Sequence, residues 1–556
     1  MRRSRLATLS TLPLLVAFAG CGGDASRSTA APAAKSAAPV RGVILISIDA
    51  LRADHLGPYG YARPTTPFLD RLAGRATVFE NAFAQVPATL PSHMSMFTGL
   101  YPSEHQVHPP SSVLSDRIRT LPEVLRKAGL RTFGHTEGGY VQGGYGFARG
   151  FEEWSDTPYA HDTDVERTFQ AGLDSLSRLR PGERFFLFLH SYTVHDPYEP
   201  PPAYRSLPWM RARPAGAFDP TGPNFASFNL RRLDATAEAI DWYRGLYDAG
   251  IRYLDDRLAA FFAELERSGL ARDTVVILTA DHGEEFGEHD RLVHTQAYPE
   301  CLHIPWIVVA PGRAGARVAR VVETIDFAPT IYELVGVAPP PDLPGQSRAG
   351  DLGRSAKTLD GFAYAENRMN EFEERTILQA VGGSLFQLYR AHAEPESDGF
   401  WVSRRTDFDA RPPWLEFRAV AFSKPRAVEA FADGRKIADL ELGTDWGSYR
   451  LELPGDPGRV RVALRTADCT TPVSVGIGSD SRCLSFKIQG TPLERLELFD
   501  LAADRLARHD LSAERPDLVR TLGRALKRYP ETPRAPASQG SLSDEQIRHL
   551  KALGYL

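Results

Sequence analysis

The sequence predicts an α/β fold, with a mostly parallel central sheet flanked by helices and a small all-β module inserted late in the chain. Three observations predict it. "GVILISID" (42 to 49) and "TVVILTADHG" (274 to 283) are near-continuous apolar runs rich in β-branched residues, as strands buried on both faces of a parallel sheet require. Helix-like stretches lie between such runs, so that strand and helix alternate. After about residue 395 the character changes to short alternating segments separated by turn signals.

The elements follow in order. "MRRSRLATLSTLPLLVAFAGCGG" has a basic start, an apolar run too short to span a membrane as a mature helix, and small residues before Cys21. It reads as an export signal over residues 1 to 20. "FAGC" resembles a bacterial lipobox, with Phe18 where Leu is commoner. That likeness implies a lipid anchor on Cys21, and Gly22 after it implies outer-membrane sorting. The expected location is the bacterial cell envelope, periplasmic or outer-membrane; an ordinary signal cleaved nearby is the alternative. Residues 21 to 41 include "DASRSTAAPAAKSAAPV", an Ala/Ser/Pro-rich stretch without periodicity that suits a tether.

Residues 42 to 395 are expected to form the catalytic domain. "RFFLFLH" (184 to 190) and "IPWIVVAPG" (304 to 312) are further candidate strands of the buried parallel sheet, and 164 to 179 and 240 to 269 are candidate helices. Ligands of such sheets gather at the carboxyl ends of the strands, where Asp49, His190, Asp281 and His282 fall.

Residues 396 to 490 read as an all-β insert, a small sandwich. Its segments are 414 to 421, 427 to 442, 448 to 453, 460 to 466 and 483 to 488, with Asp433-Gly434 as a two-residue hairpin signal. The pattern resembles galactose-binding-like jelly rolls, which implies glycan binding; a packing or dimer surface is the alternative. Residues 491 to 556 are expected to return to the catalytic domain and to helix, ending in "SLSDEQIRHLKALGYL". In an oxidising compartment Cys469 and Cys483 close a short loop suited to a disulfide of about 3 kcal/mol, leaving Cys301 as an apolar core residue. No cysteine cluster has zinc-finger spacing.

A chain of 556 residues exceeds one domain by the soft prior of about 150 residues each. Acidic and basic residues nearly cancel, 70 against 65, and no dense Lys/Arg tract is present. That excludes a nucleic-acid footprint and leaves small-molecule, lipid or glycan ester substrates.

Asp49, Thr89, Asp281 and His282 are far apart in sequence, but three of them end strands of one expected sheet. Two carboxylates, an imidazole and a hydroxyl suit one divalent metal ion: Zn, Mn, Mg or Ca. A Thr hydroxyl bound to such an ion loses its proton more easily and becomes a competent nucleophile.

With these residues, the sequence resembles the sulfatase family of the alkaline phosphatase superfamily. The matching stretches are "ISIDALRADHLGPYGY", "RPTTPFLDRLA", "TLPSHMSMFTGLYPSEH", "FLFLHSYTVHDPYEPP", "YDAGIRYLDD", "TADHGEEFGEH" and "DFAPTIYELVGV", in order over about residues 42 to 390, with a resumption at 493 to 512. The resemblance implies an alkaline-phosphatase-like fold, with Asp49, Asp281 and His282 as metal ligands and Thr89 as nucleophile and ligand. It also implies His195 and His294 near the substrate's anionic oxygens or leaving group, His294 standing where many relatives have Lys. His93 replaces the motif Arg as a support for the nucleophile, and His105 is a candidate substrate contact. By contrast His190 reads as a strand-end histidine bonded to backbone, His289 as a loop cap or a substrate contact, and "EFGEHD" as a solvated surface beside the site.

Two departures matter. Many sulfatases have paired acids where this chain has Asp49-Ala50. A sulfatase nucleophile is a formylglycine made from Cys or Ser, and Thr cannot yield that aldehyde because its β-carbon carries a methyl group. Metal-dependent phosphodiesterases and phosphoethanolamine or glycerol-phosphate transferases of the superfamily use Thr there. The expected function is therefore ester hydrolysis, with phosphoesters favoured over sulfate esters. A transferase, or an inactive glycan-binding homologue, is the alternative.

Overall fold

A computed structural model of the protein describes residues 40–156, 165–229, 232–368, 373–392, 400–402, 405–410, 414–454, 460–467, 469–470, 485–489, 494–530 and 532–540, with positions 543, 547 and 550. The expected signal, Cys21, almost all of the tether, Cys483 and most of the terminal "SLSDEQIRHLKALGYL" lie outside these residues. Among the described residues, no helix is long and apolar enough to cross a membrane.

The central sheet has eight strands: β1 (Gly42–Ile48), β2 (Thr77–Phe83), β3 (Arg131–Thr136), β4 (Glu153–Asp156), β5 (Phe185–Ser191), β6 (Thr274–Ala280), β7 (His303–Val309) and β8 (Ala316–Glu323). Their order is β8-β2-β7-β6-β1-β5-β3-β4. The buried runs read from the sequence form the middle: β1 lies between β6 and β5, parallel to both, and every residue of the three is buried. Register then fixes the site. Ile48 pairs with Ala280 on one side and Ser191 on the other, so the residues that follow them emerge at one level.

β7 departs from expectation, because it runs antiparallel to both β6 and β2. The connection from β6 holds the short antiparallel pair Glu285–Phe286 and Leu292–Val293 and the four-residue helix Pro299–Leu302 but no long crossover helix, so the chain re-enters the sheet at the end it left. The two long helices form close to where they were expected, as α2 (Val165–Ser177) and α3 (Ala237–Arg267). The Thr236 hydroxyl caps α3 by accepting from the Ala239 N–H. α2 presses Gly172 onto Leu187 and Leu189 of β5, an approach at which a Cβ would crowd the leucine methyls.

Farther on, Phe362–Asn367, Glu373–Val381 and Ser384–His392 make an antiparallel sheet, and Glu494–Asp500 adds to it beside Ser384–His392. The return after residue 490 therefore starts with a strand where helix was expected. Leu498 packs into a small core with Ile377 and Leu388, beneath the helix Pro516–Leu526.

Between these two strands the chain makes two antiparallel four-stranded sheets. One contains Trp414–Ala421, Gly447–Glu452 and Phe486–Gln489; the other contains Arg405–Ala410, Arg426–Ala432, Arg435–Leu442 and Val460–Arg465. Phe417, Val428, Leu451, Val462 and Phe486 share a core separate from that of the central sheet, as a sandwich requires. Asp433 (φ 46°) and Gly434 (φ 77°) both take positive φ, the type I′ turn that the Asp-Gly pair favours. Cys469 is disulfide-bonded, and Cys301 is free and buried.

Candidate active site

Asp49 follows β1, and Asp281 and His282 follow β6. One ligand atom from each lies within 4.8 Å of the others, and all three side chains are fully buried. His282 Nδ1 donates to the Gly283 carbonyl at 2.9 Å, which leaves the Nε2 lone pair facing inward. That lone pair stands 3.3 Å from Asp281 Oδ2 and 3.7 Å from Asp49 Oδ1. Neither carboxylate oxygen has a hydrogen-bond partner among the described residues. Three electron-rich atoms buried together repel one another unless a cation lies between them, so the donor set fits a divalent ion.

Thr89 opens α1 (Thr89–Thr98), a helix buried along its whole length. Its Oγ1 lies 3.3 Å from His282 Nε2. The Ser92 hydroxyl donates to the Asp281 carbonyl at 2.7 Å and ties this first turn to the end of β6. A helix N-terminus also favours developing negative charge on Thr89.

The two departures noted in the sequence take structural form. Ala50 turns with φ 56°, and its N–H donates to Asp281 Oδ1 at 3.2 Å, so this position supplies a backbone donor and no side-chain ligand. His93 Nδ1 donates to the Thr89 carbonyl at 2.9 Å, and the Ser47 hydroxyl donates to its Nε2 at 2.9 Å. Burial lowers this imidazole to a pKa of about 4. His93 touches Thr89 through the backbone.

His195 and His294 reach the same place. The His195 Nε2 is 4.0 Å from Asp49 Oδ1, and its Nδ1 donates to the Asp196 carbonyl at 2.6 Å. Burial alone would lower its pKa, but the carboxylates of Asp196 and Asp49 outweigh burial and raise it. The His294 ring lies 4.3 Å from the His282 ring and 5.1 Å from that of His195, and burial holds it well below the usual range.

Sequence reasoning missed Glu284. It is fully buried, 3.2 Å from His294 Nδ1, and burial beside Asp196 and Asp49 holds its carboxyl well above the usual range. Its only signal was its place two residues after His282.

The structure also places four other features read from the sequence. His190 contacts a side chain where backbone was expected, with Nε2 3.3 Å from Asp49 Oδ2. His105 is clamped behind the first turns of α1: the Val107 N–H donates to Nδ1 at 3.0 Å, and Nε2 donates to the Pro91 carbonyl at 3.2 Å. With both nitrogens engaged and the ring fully buried, it holds the helix and its neighbouring loop. His289 is a structural link, bonded to Glu300 at 2.5 Å and to the Ala507 carbonyl at 2.9 Å, and stacked on Tyr298. The run "EFGEHD" is largely internal. The Thr295 N–H and hydroxyl donate to Glu285, and Arg52, itself buried, pairs with Glu288 at 2.7 Å. Arg52 also donates to the Glu284 carbonyl at 2.8 Å, which joins the segment after β1 to the loop after β6.

Residues 41–337, more than half of the chain, match the sulfatase family model. The chain belongs to the sulfatase family. An arylsulfatase of Clostridium perfringens is 21% identical over 404 residues, covering 60% of this chain and 83% of that one. Human iduronate 2-sulfatase is 22% identical over 454 residues, covering 66% and 82%. The crystal structure of a phosphonate monoester hydrolase from Agrobacterium radiobacter shares the fold, with a TM-score of 0.56 at 18% identity over 88% of this chain and 94% of that one. This sulfatase-family chain is thus an ester hydrolase with an alkaline-phosphatase-like fold. The family is generally metal-dependent, and Asp49, Asp281 and His282 are where this member groups suitable donors.

Proposed function

We propose that this protein is an exported, metal-dependent hydrolase that cleaves phosphoesters in preference to sulfate esters, with Thr89 as nucleophile. The observation that carries the reading is Thr89 itself, whose single hydroxyl lies beside His282 at the N-terminus of α1. Asp49, Asp281, His282 and the Thr89 hydroxyl would hold the ion. When bound, a divalent ion lowers the hydroxyl's pKa and offsets charge on the transferred group.

The remaining chemistry belongs to side chains. Thr89 Oγ1 releases its proton to solvent and attacks phosphorus in line, a P–O(Thr) bond forms and the P–O bond to the leaving group breaks. His195 or His294, both beside the ligand cluster, gives the leaving oxygen its proton. Water, giving a proton to the same histidine, then attacks phosphorus, the P–O(Thr) bond breaks, Thr89 regains a proton from solvent, and phosphate, or the monoester left from a diester, departs. His93 holds the first turn of α1 through the Thr89 carbonyl. His105 has no part in this scheme.

Purified protein should contain about one equivalent of Zn, Mn, Mg or Ca per chain, and Asp281→Ala should lose both metal and activity. Full metal occupancy in that variant contradicts the assignment. The phosphonate monoester hydrolase likeness is consistent with a phosphorus ester as substrate. The leader supports a lipid anchor on Cys21 and a place in the bacterial cell envelope. Cys21→Ser should then release the chain from the membrane fraction; a wild-type protein that fractionates as soluble contradicts the anchor.

A further inference from the structure

We propose that His190 is a positioning residue for Asp49: its Nε2–H holds one carboxylate oxygen so that the other is presented to the metal ion. The inference rests on the metal assignment above and goes beyond it. Strand register sets the contact. His190 pairs with Ser47 across β1 and β5, and the Asp49 N–H donates to the Ser191 carbonyl at 3.0 Å, so the two side chains meet at adjoining strand ends. Nε2 lies 3.3 Å from Asp49 Oδ2, while Oδ1, with no hydrogen-bond partner among the described residues, faces His282. The two carboxylate oxygens therefore do different work.

The ring's other nitrogen takes no part in holding the fold together, a state that His108 Nε2 shares among the described residues. His93, His105, His135 and His289 each bond through both ring nitrogens. His190 does not: Nδ1 is buried and has no partner among the described residues. The edge-on rings of His93 and Tyr192, each with its centroid 4.7 Å away, fix the ring in place. Burying an unpaired nitrogen is unfavourable, so the favourable polar contact of this ring is the one made by Nε2. That nitrogen points at a ligand of the proposed ion. Outer partners of metal ligands typically set affinity by 10- to 100-fold, by fixing ligand orientation.

The test is calorimetric titration of the metal-stripped full-length protein with Zn, Mn, Mg and Ca singly, comparing wild type with His190→Phe, His190→Gln and Asp281→Ala. The Gln side chain keeps a nitrogen donor near the position of Nε2, whereas Phe keeps only bulk. We expect His190→Phe to bind the preferred ion about 10- to 100-fold more weakly and His190→Gln to recover most of that loss. Wild-type affinity in His190→Phe overturns the proposal, as does His190→Gln binding as weakly as His190→Phe or more weakly. If His190→Phe fails to fold, His190→Leu, which also lacks a donor, takes its place: weaker binding than His190→Gln supports the role, and equal binding overturns it. Loss of the ion in Asp281→Ala with wild-type affinity in His190→Phe overturns the His190 role alone. A wild-type chain that takes up none of the four ions overturns both this proposal and the metal assignment beneath it.

Discussion

The Glu300 carbonyl accepts the Glu284 N–H at 3.0 Å, over a Gly283 pressed so closely against that carbonyl that no side chain fits. Gly283 is also the residue whose carbonyl orients the His282 ring. Gly283→Ala should displace the loop that carries His282, and overpacking of this kind costs about 1–3 kcal/mol. Thermal unfolding should show that loss, and metal content should fall with it. Unchanged stability together with unchanged metal content would contradict the close approach.

The link between His289 and Glu300 should make stability depend on pH. Burial alone would lower the His289 pKa, but the Glu300 carboxylate outweighs burial and raises it to about 9. A folded pKa above the unfolded value of about 6.5 means that the contribution is fully present below pH ~6.5 and is lost as pH rises through ~9. The shift corresponds to about 3 kcal/mol, as an order of magnitude. Denaturant unfolding of wild type and His289→Gln between pH 6 and 10 should show the stability difference shrinking by that order. A constant difference would sink this account.

These two contacts also mark what the sequence could and could not tell. The buried runs 42 to 49 and 274 to 283 were legible because both faces of β1 and β6 are covered, and their strand ends brought Asp49, Asp281 and His282 together through register alone. The alternation in 426 to 432 was legible for the opposite reason, one face being buried and the other largely exposed. Direction was not legible for β7, because an apolar run looks the same whether its neighbours are parallel or antiparallel. Nor was the burial of Glu284, Glu285 and Glu288, since a carboxylate goes inside only when the fold brings partners to it, here His294, Thr295 and Arg52. The contact between His190 and Asp49 spans 141 positions and has no local signature.

In the function proposed above, Thr89 as nucleophile separates two chemistries, and turnover on matched esters tests that proposal most directly. The hydrated aldehyde of a sulfatase has two hydroxyls, so the second can expel sulfate by breaking a carbon–oxygen bond. Thr89 has one, and its ester must be opened by water at the central atom, a route open to phosphothreonine beside a metal ion through a loose transition state. A threonyl sulfate has no elimination shortcut. The measurement is kcat/KM, with the number of turnovers, on an aryl phosphate monoester, a phosphodiester and a sulfate sharing one leaving group. The account predicts sustained turnover on at least one phosphorus ester, and slow turnover or arrest after one event on the sulfate. Multiple-turnover sulfate hydrolysis faster than both phosphorus esters would contradict it.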